Sequence, residues 1–399
     1  MRRLFSVLNK TLDSSEVSRK YDRPFKNGNG LIYLDHNATT PLHPAVKSKM
    51  DEYALLPLNP SSIHSSGRAA TSIIENSRKL IARLMGFEGN FKNYRVTFTS
   101  GGTEANNIIL ANYRDGEIFI SATEHTSIWA HSKVASNFTV IQVDRNGVLD
   151  LEYLQQKLAN STKQKKLVSV MLANNETGII SPIQKITKIA HEYGAEIHSD
   201  CVQAAGKIPI DIMDIDLDFA SISGHKFSGP AGAGVLISKT SFHLQPIFIG
   251  GGQERGLRSG TENVPAIAGL GQAALIAFDE LDKRIDHMKK LRDRLESRLL
   301  NRFSDVRFPG INTDRLPNTS LIINPRTTAQ IMLIALDLKG VAVSSGSACS
   351  SGKVGKSHVL SAMGYSDDEV KSAIRISVGY TTTNKDIDDF LEIYSELDK

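Results

Sequence analysis

The sequence predicts an α/β protein: a large, mainly parallel sheet with helices on both faces, plus a smaller α+β domain. Three observations lead there. Short β-branched runs alternate with helical stretches from Val96 onward, as parallel strands joined by crossover helices do. Polar residues suited to chemistry fall where those runs end, and ligands of such sheets sit at the carboxyl ends of strands. A long amphipathic helix then opens a second region, with Leu281, Ile285, Met288, Leu291, Leu295 and Leu299 at spacings of three and four.

Leu31–Leu34 reads as a short apolar strand after a polar leader, and Asp35–Pro41 as a turn rich in hydrogen-bonding groups. Asn59–His64 is a loop, and helical periodicity runs from Arg68 to Met85. Val96–Phe98 is a strand before a helix that starts near Glu104. Glu117–Ile120, Thr139–Val143 and Leu167–Leu172 follow as strands, then a helix over Gln184–Tyr193, then strands at Glu196–Ser199, Phe219–Ser223 and Val235–Ile237. Beyond the long helix come a strand at Asn318–Ile323, a helix over Ala329–Leu338, strands at Val341–Val343 and Ile374–Val378, and a terminal helix from about Asn384. The expected division is a leader over 1–30, a large domain over 31–280 whose first residues pack with the small one, and a small domain over 281–399.

Composition narrows the class. The chain has 399 residues, 40% hydrophobic and 23% charged, with a net charge of +4. That charge is too mild to imply nucleic acid or a membrane surface, and no apolar run approaches the ~20 residues of a spanning helix. The first ten residues are basic, with no acid before Asp13. A cytoplasmic chain is the expectation, with the mitochondrial matrix as the alternative if this stretch is a targeting segment. Cys201 and Cys349 are the only cysteines, which excludes a disulfide framework and a four-cysteine metal site; no metal is expected. Cys201 lies in an apolar run, as a small buried thiol does. Cys349 lies in Val343-Ser-Ser-Gly-Ser-Ala-Cys-Ser-Ser-Gly-Lys353, a small, polar, mobile loop that suits a nucleophile which must reach a site and carry something away.

The strand ends carry the rest of the chemistry. Lys226 follows a strand, with Ser221, Ser223 and His225 nearby. That setting suits a lysine holding an aldehyde cofactor as a Schiff base; a lysine in an exposed turn fits the stretch equally. Ser100-Gly-Gly-Thr-Glu104 opens a helix, where Gly102 and Thr103 offer N–H groups and a hydroxyl to a phosphate or simply start the helix. Asp200 ends a buried-looking strand and needs a partner, either a protonated pyridine nitrogen or a structural cation. Gln203 suits a hydrogen bond to a ring hydroxyl. His125 suits stacking and proton movement, or a structural place. Arg375, on a strand, suits a substrate carboxylate or a surface ion pair.

Taken together, Asp35-His-Asn-Ala-Thr-Thr-Pro41, Thr99-Ser-Gly-Gly-Thr-Glu104, Thr123-Glu-His125, Asn174-Asn-Glu-Thr-Gly178, Asp200-Cys-Val-Gln203 and Ser221-Ile-Ser-Gly-His-Lys-Phe-Ser-Gly-Pro230 resemble the motifs of the class V aminotransferase superfamily. Gly250-Gly-Gly-Gln-Glu-Arg-Gly-Leu-Arg-Ser-Gly-Thr-Glu-Asn263 and Ser344-Ser-Gly-Ser-Ala-Cys349 are similar to those of its cysteine desulfurases of the NifS/IscS type. The resemblance runs in order from about Tyr33 to about Thr383. It implies the PLP-dependent transferase fold, pyridoxal 5'-phosphate as cofactor, a homodimer, L-cysteine as substrate, and a sulfur-acceptor protein as partner, an iron–sulfur scaffold or a sulfur relay. By the same resemblance Lys226 carries the cofactor, Thr103, Ser223 and His225 hold its phosphate, and Thr261 contributes from the other subunit. Asp200 pairs with the pyridine nitrogen, Gln203 and Asn175 contact the ring hydroxyl and the substrate side, His125 stacks, and Arg375 holds the substrate carboxylate. Cys349 takes the sulfur as a persulfide, leaving alanine.

Two departures stand out. Ala231 occupies a position where such enzymes often carry lysine, and the chain stops soon after the terminal helix, which leans toward the shorter NifS-like branch. The rival readings are another enzyme of the superfamily, such as selenocysteine lyase or an aminotransferase, and a non-catalytic paralogue acting as an interaction subunit. An aminotransferase has no use for a mobile thiol, and the paralogue would have lost Lys226 or Cys349.

Overall fold

The computed structural model describes residues 30–346 and 356–397; the leader and the loop residues 347–355, Cys349 among them, lie outside that range. After β1 (Ile32–Tyr33) come the strands of the main sheet: β2 (Tyr94–Thr99), β3 (Glu117–Ser121), β4 (Phe138–Ile141), β5 (Lys166–Ser169), β6 (Glu196–Asp200), β7 (Phe219–Ser223) and β8 (Gly234–Lys239). Their order across the sheet is β2-β8-β7-β6-β5-β3-β4. β8 runs against both of its neighbours, and every other pairing is parallel. The mainly parallel sheet expected from the sequence is therefore present, with one reversed strand.

Parallel strands buried on both faces need apolar residues on both. All five residues of β7 are buried. On one face a large core joins Ile74 and Ile81 of the Ser65–Leu84 helix to Val264, Ile267 and Leu270 of the Val264–Asp279 helix. On the other, Ala105, Ile108 and Ile109 of the Gly102–Asn112 helix pack on Phe219 and Leu236.

A second core gathers Met288, Leu291, Leu295 and Leu299 of the Leu281–Arg302 helix with Ile387, Phe390 and Tyr394 of the Asn384–Leu397 helix. They enclose a sheet of β9 (Thr319–Ile323), β11 (Ser344–Ser345) and β12 (Ala373–Ser377) in the order β11-β12-β9, while β10 (Val341–Ala342) pairs in parallel with β1. That pairing lays the following turn, from Asp35, across the carboxyl ends of the main sheet.

The helices at Pro44–Ala54 and Val264–Asp279 are not anticipated by periodicity. The second is apolar on nearly every side because it is enclosed, so it has no polar face to reveal it. Expected strand ends also move. β5 stops at Ser169 rather than Leu172, and β4 at Ile141 rather than Val143, which instead bridges to Leu149. Among the described residues no single helix is long and apolar enough to cross a membrane.

Candidate active site

Four strand ends converge on a cavity of about 300 Å³. β6 delivers Asp200, and β7 delivers Ser223 followed by the turn with His225 and Lys226. β2 leads through Gly101 into the helix that begins at Gly102, and β3 leads to Glu124 and His125. Gly102, Thr103, His125, Asn175, Asp200, Gln203, Ser223, His225, Lys226 and Arg375, all expected from the sequence, line this one space.

Asp200 is 5% exposed and fully engaged on its protein side. Its Oδ2 accepts from Asn106 Nδ2 at 2.8 Å and its Oδ1 from the Val202 N–H at 2.9 Å. The second hydrogen of the Asn106 amide goes to Ser127 Oγ at 2.9 Å, and that hydroxyl lies 2.8 Å from His125 Nδ1. The Ser127 N–H also donates to Nδ1, at 3.1 Å. Nδ1 is thus an acceptor, which puts the proton of the neutral imidazole on Nε2. Asn106 orients Asp200 and His125 together. Sequence reasoning assigned it no role, although it sits one helical turn after Gly102 and Thr103, where a polar side chain faces the same way. Its Oδ1 is buried with no hydrogen-bond partner among the described residues.

Glu124, the residue before His125, is fully buried. Burial pushes its carboxyl well above the usual carboxylate range, and the charge of Asp200 adds to this.

Lys226 reaches the cavity through the Asp35 turn. Its Nζ donates to the Asn37 carbonyl at 2.6 Å and the Ala38 carbonyl at 2.8 Å. Thr40 Oγ1 donates to the His225 carbonyl at 2.8 Å and accepts from the Ser228 N–H at 2.6 Å, stapling the two turns together. The exposed-turn reading of Lys226 therefore fails: the lysine is half-buried and held. His225 lies 3.2 Å from Thr39 Oγ1, and burial beside the charges of Lys226 and Lys207 pushes its imidazole down to about 4.

Arg375 is 1% exposed, so the surface-pair reading fails as well. Its NH2 meets Asp35 Oδ1 at 2.7 Å and its NH1 donates to the Asn175 carbonyl at 2.9 Å, while Nε has no partner among the described residues. Asp35 Oδ2 accepts from Ser344 Oγ at 2.7 Å. The turn that holds the lysine also holds the arginine.

Two expected site residues are not in this group. Thr261 is exposed and lines a surface cleft with Phe248, Ile249 and Arg258 instead. Cys349 lies outside the described residues. Cys201 is fully buried, and burial pushes its thiol up to about 12, as befits a packing residue.

Residues 32–390 match the family model described as aminotransferase class-V. The chain is 38% identical over 377 residues to a cysteine desulfurase IscS of Dictyoglomus turgidum, across 92% of this chain and 94% of that protein. It is 40% identical over 379 residues to a cysteine desulfurase of Cereibacter sphaeroides, across 91% and 94%. Among solved structures, a NifS-like protein from Rickettsia africae superposes with a TM-score of 0.88 at 48% identity, covering 92% of this chain and 99% of that one. The chain belongs to the class V aminotransferase family, whose cofactor is pyridoxal phosphate. Within that family it is a cysteine desulfurase.

The residues present fit that cofactor. A carboxylate that already accepts two hydrogen bonds stands at one side of the cavity, ready for a ring N–H. At the other, the start of the Gly102–Asn112 helix offers N–H groups and positive potential to a phosphate. A Cβ at Gly102 would meet Val202 Cγ2 at 2.6 Å, and one at Gly234 would meet the Gly101 backbone at 2.5 Å, so only glycine allows this close cradle. Lys226, the one lysine among the described residues that line the cavity, would supply the amine.

Proposed function

We propose that the chain moves sulfur from L-cysteine to the thiol of Cys349, releasing L-alanine, and hands that sulfur to an acceptor protein in iron–sulfur cluster assembly or another sulfur-transfer route. The observation that carries this reading is the single cavity lined by Lys226, Asp200, His125 and Arg375, with both described flanks of the Cys349 loop tied to its rim. On one flank Ser344 donates to Asp35, the partner of Arg375. On the other, Ser357 Oγ donates to Glu176 Oε2 at 2.6 Å, and His358 Nε2 lies 2.9 Å from the Glu124 carbonyl, next to His125.

When bound, pyridoxal phosphate supplies an electron sink that weakens bonds at the substrate's α and β carbons. Each residue then has a task set by its chemistry. Lys226 anchors the cofactor through its Nζ and moves protons there. Asp200 holds the ring proton through its carboxylate, and Asn106 keeps that carboxylate aimed. Arg375 fixes the cysteine carboxylate by a charge-assisted contact. His125 carries a proton on Nε2, set by the two donors at Nδ1. In net terms the C–S bond of cysteine breaks, a S–S bond forms at Cys349, and the β-carbon gains a proton. L-cysteine and the thiol give L-alanine and a persulfide.

A second copy of the chain completes the site in this reading. Support comes from Thr261, which stands away from the cavity of its own chain, and from Ile249 and Leu55, 93% and 94% exposed, which give a partner apolar surface. Mixing Lys226→Ala chains with Thr261→Val chains should then restore activity, because one site of the hybrid pair is intact.

The direct test is mass spectrometry after brief exposure to L-cysteine, with alanine measured in parallel. A gain of ~32 Da on the Cys349 peptide is expected of persulfide formation. An adduct on Cys201, or alanine formed at the wild-type rate by Cys349→Ser, would sink the proposal.

A further inference from the structure

Behind the cavity lies a buried lysine that the reaction does not call upon. Lys207 is 4% exposed, and its Nζ donates to Gln203 Oε1 at 2.6 Å and Asn37 Oδ1 at 3.0 Å. Neither partner is a carboxylate. Burial pushes this amine well below the ordinary lysine range, and the charges of Lys226 and Arg375 push it further. A buried amine facing only amide oxygens is costly to keep for packing alone.

We propose that Lys207 is a positioning residue that sets the orientation of the Gln203 and Asn37 amides and, through them, the place of Lys226 Nζ. The proposal rests on the reading of the cavity as the cofactor site. The amine's hydrogens serve both oxygens, and as an ammonium it has no lone pair to accept from a turned amide. It therefore decides which end of each amide faces it. With Oε1 turned to Lys207, Gln203 points its Nε2 at the Asn37 carbonyl, 2.9 Å away. That same carbonyl accepts from Lys226 Nζ. A flipped Gln203 would set oxygen against oxygen there.

Asn37 is fixed the same way. Its Oδ1 takes Lys207 and Asn318 Nδ2, the latter at 2.9 Å, and its Nδ2 donates to Thr319 Oγ1 at 2.8 Å and the Asn175 carbonyl at 3.2 Å. Every polar atom of that side chain is used. Removing Lys207 leaves Gln203 Oε1 without its donor, takes one of two donors from Asn37 Oδ1, and leaves the Gln203 amide held only by the Asn37 carbonyl.

The test uses the holoenzyme of wild type, Lys207→Met, Gln203→Met and the double variant. Melting temperature, the visible absorbance band of the bound cofactor, kcat and KM for L-cysteine are measured on each. Lys207→Met should fold and keep its cofactor, with a shifted band and kcat lower by about 10- to 100-fold, the size of a misplacement at the reacting centre. KM should move far less. The double variant should stay within about threefold of Gln203→Met, because Lys207 acts through that amide. An unchanged band and kcat in Lys207→Met, or losses that multiply in the double variant, overturn the proposal. If Lys207→Met does not fold, Lys207→Gln is used: its NH2 keeps hydrogens for these oxygens, so band and kcat should stay near wild type, and a loss as large as that expected of Lys207→Met overturns the proposal. A wild-type protein that neither takes up cofactor nor forms alanine would instead bring down the cavity reading, and this proposal with it.

Discussion

The buried pair of Arg78 and Glu254 supports a prediction whose sign is counterintuitive. Arg78 NH1 and NH2 meet Glu254 Oε2 and Oε1 at 2.9 and 2.8 Å, and both side chains are almost wholly buried. Glu254 Oε2 also accepts from the Phe98 N–H at 2.9 Å, and Arg78 NH1 donates to the Val96 carbonyl at 2.5 Å. The pair thus pins the Gly250–Gly260 loop, which leads to Thr261, against β2 and the Ser65–Leu84 helix. Glu254→Leu leaves a buried guanidinium whose remaining carboxylate, Glu75, is half-exposed. Breaking a buried pair costs about 3–5 kcal/mol, and the orphaned Phe98 N–H adds about 1–3 kcal/mol. Unfolding entropy of about 2.1 cal/mol/K per residue gives about 0.8 kcal/mol/K for a chain of this length. The melting temperature should therefore fall by roughly 5–10 °C. Adding Arg78→Leu to Glu254→Leu removes the stranded charge and should recover about 4–6 °C, leaving only the orphaned backbone groups. Differential scanning calorimetry on the three proteins decides it. A double variant that melts at or below the single one would refute the reasoning, because the loss would then lie in packing and not in charge.

The other predictions concern the site and its titration. Arg375→Lys should raise KM for cysteine by about 10- to 100-fold with the cofactor band intact, since lysine loses the two-pronged grip; an unchanged KM would assign the carboxylate to another group. His36 and His198 are buried, and burial pushes both imidazoles down to about 4, while the unfolded chain titrates them near 6.5. Between those values the unfolded chain binds more protons, so stability present above pH 6.5 is lost as pH falls toward 4. A melting temperature flat from pH 7 to pH 5 would contradict this. Iodoacetamide at pH 8 should label the Cys349 peptide and spare Cys201, whose thiol burial pushes up to about 12; label on Cys201 in folded protein would count against its packing role.

Much of the site was legible because its residues end strands. Asp200 and Ser223 end β6 and β7, and His125 follows β3, where apolar runs stop and polar groups begin. Lys226 and Arg375 stood out by chemistry. What stayed hidden is the layer behind them. Lys207 in Gly206-Lys-Ile208 reads like any surface lysine, and only the fold shows that it is enclosed. Arg78 sits in an ordinary amphipathic helix, and its partner Glu254 lies 176 positions away. The reversed direction of β8 follows from the short connection between Ser223 and Gly234, which leaves no room for a crossover helix. A sequence shows what a residue can do, but a burial set by distant segments has no local signature.

The Asp35 turn has one more consequence, for how distant parts of the chain depend on one another. The Asn37 N–H donates to Ser377 Oγ at 2.9 Å, a contact 340 positions long, and the His36 N–H donates to the Ser377 carbonyl at 3.1 Å. β1 likewise waits for β10. The turn that seats Lys226 Nζ bonds on one side to the His225 carbonyl through Thr40 and rests on the other against β12. Such distant pairings form slowly, after closer ones. The place of Lys226 Nζ therefore depends on three distant segments, the Asp35 turn, the turn after β7 and β12, being together.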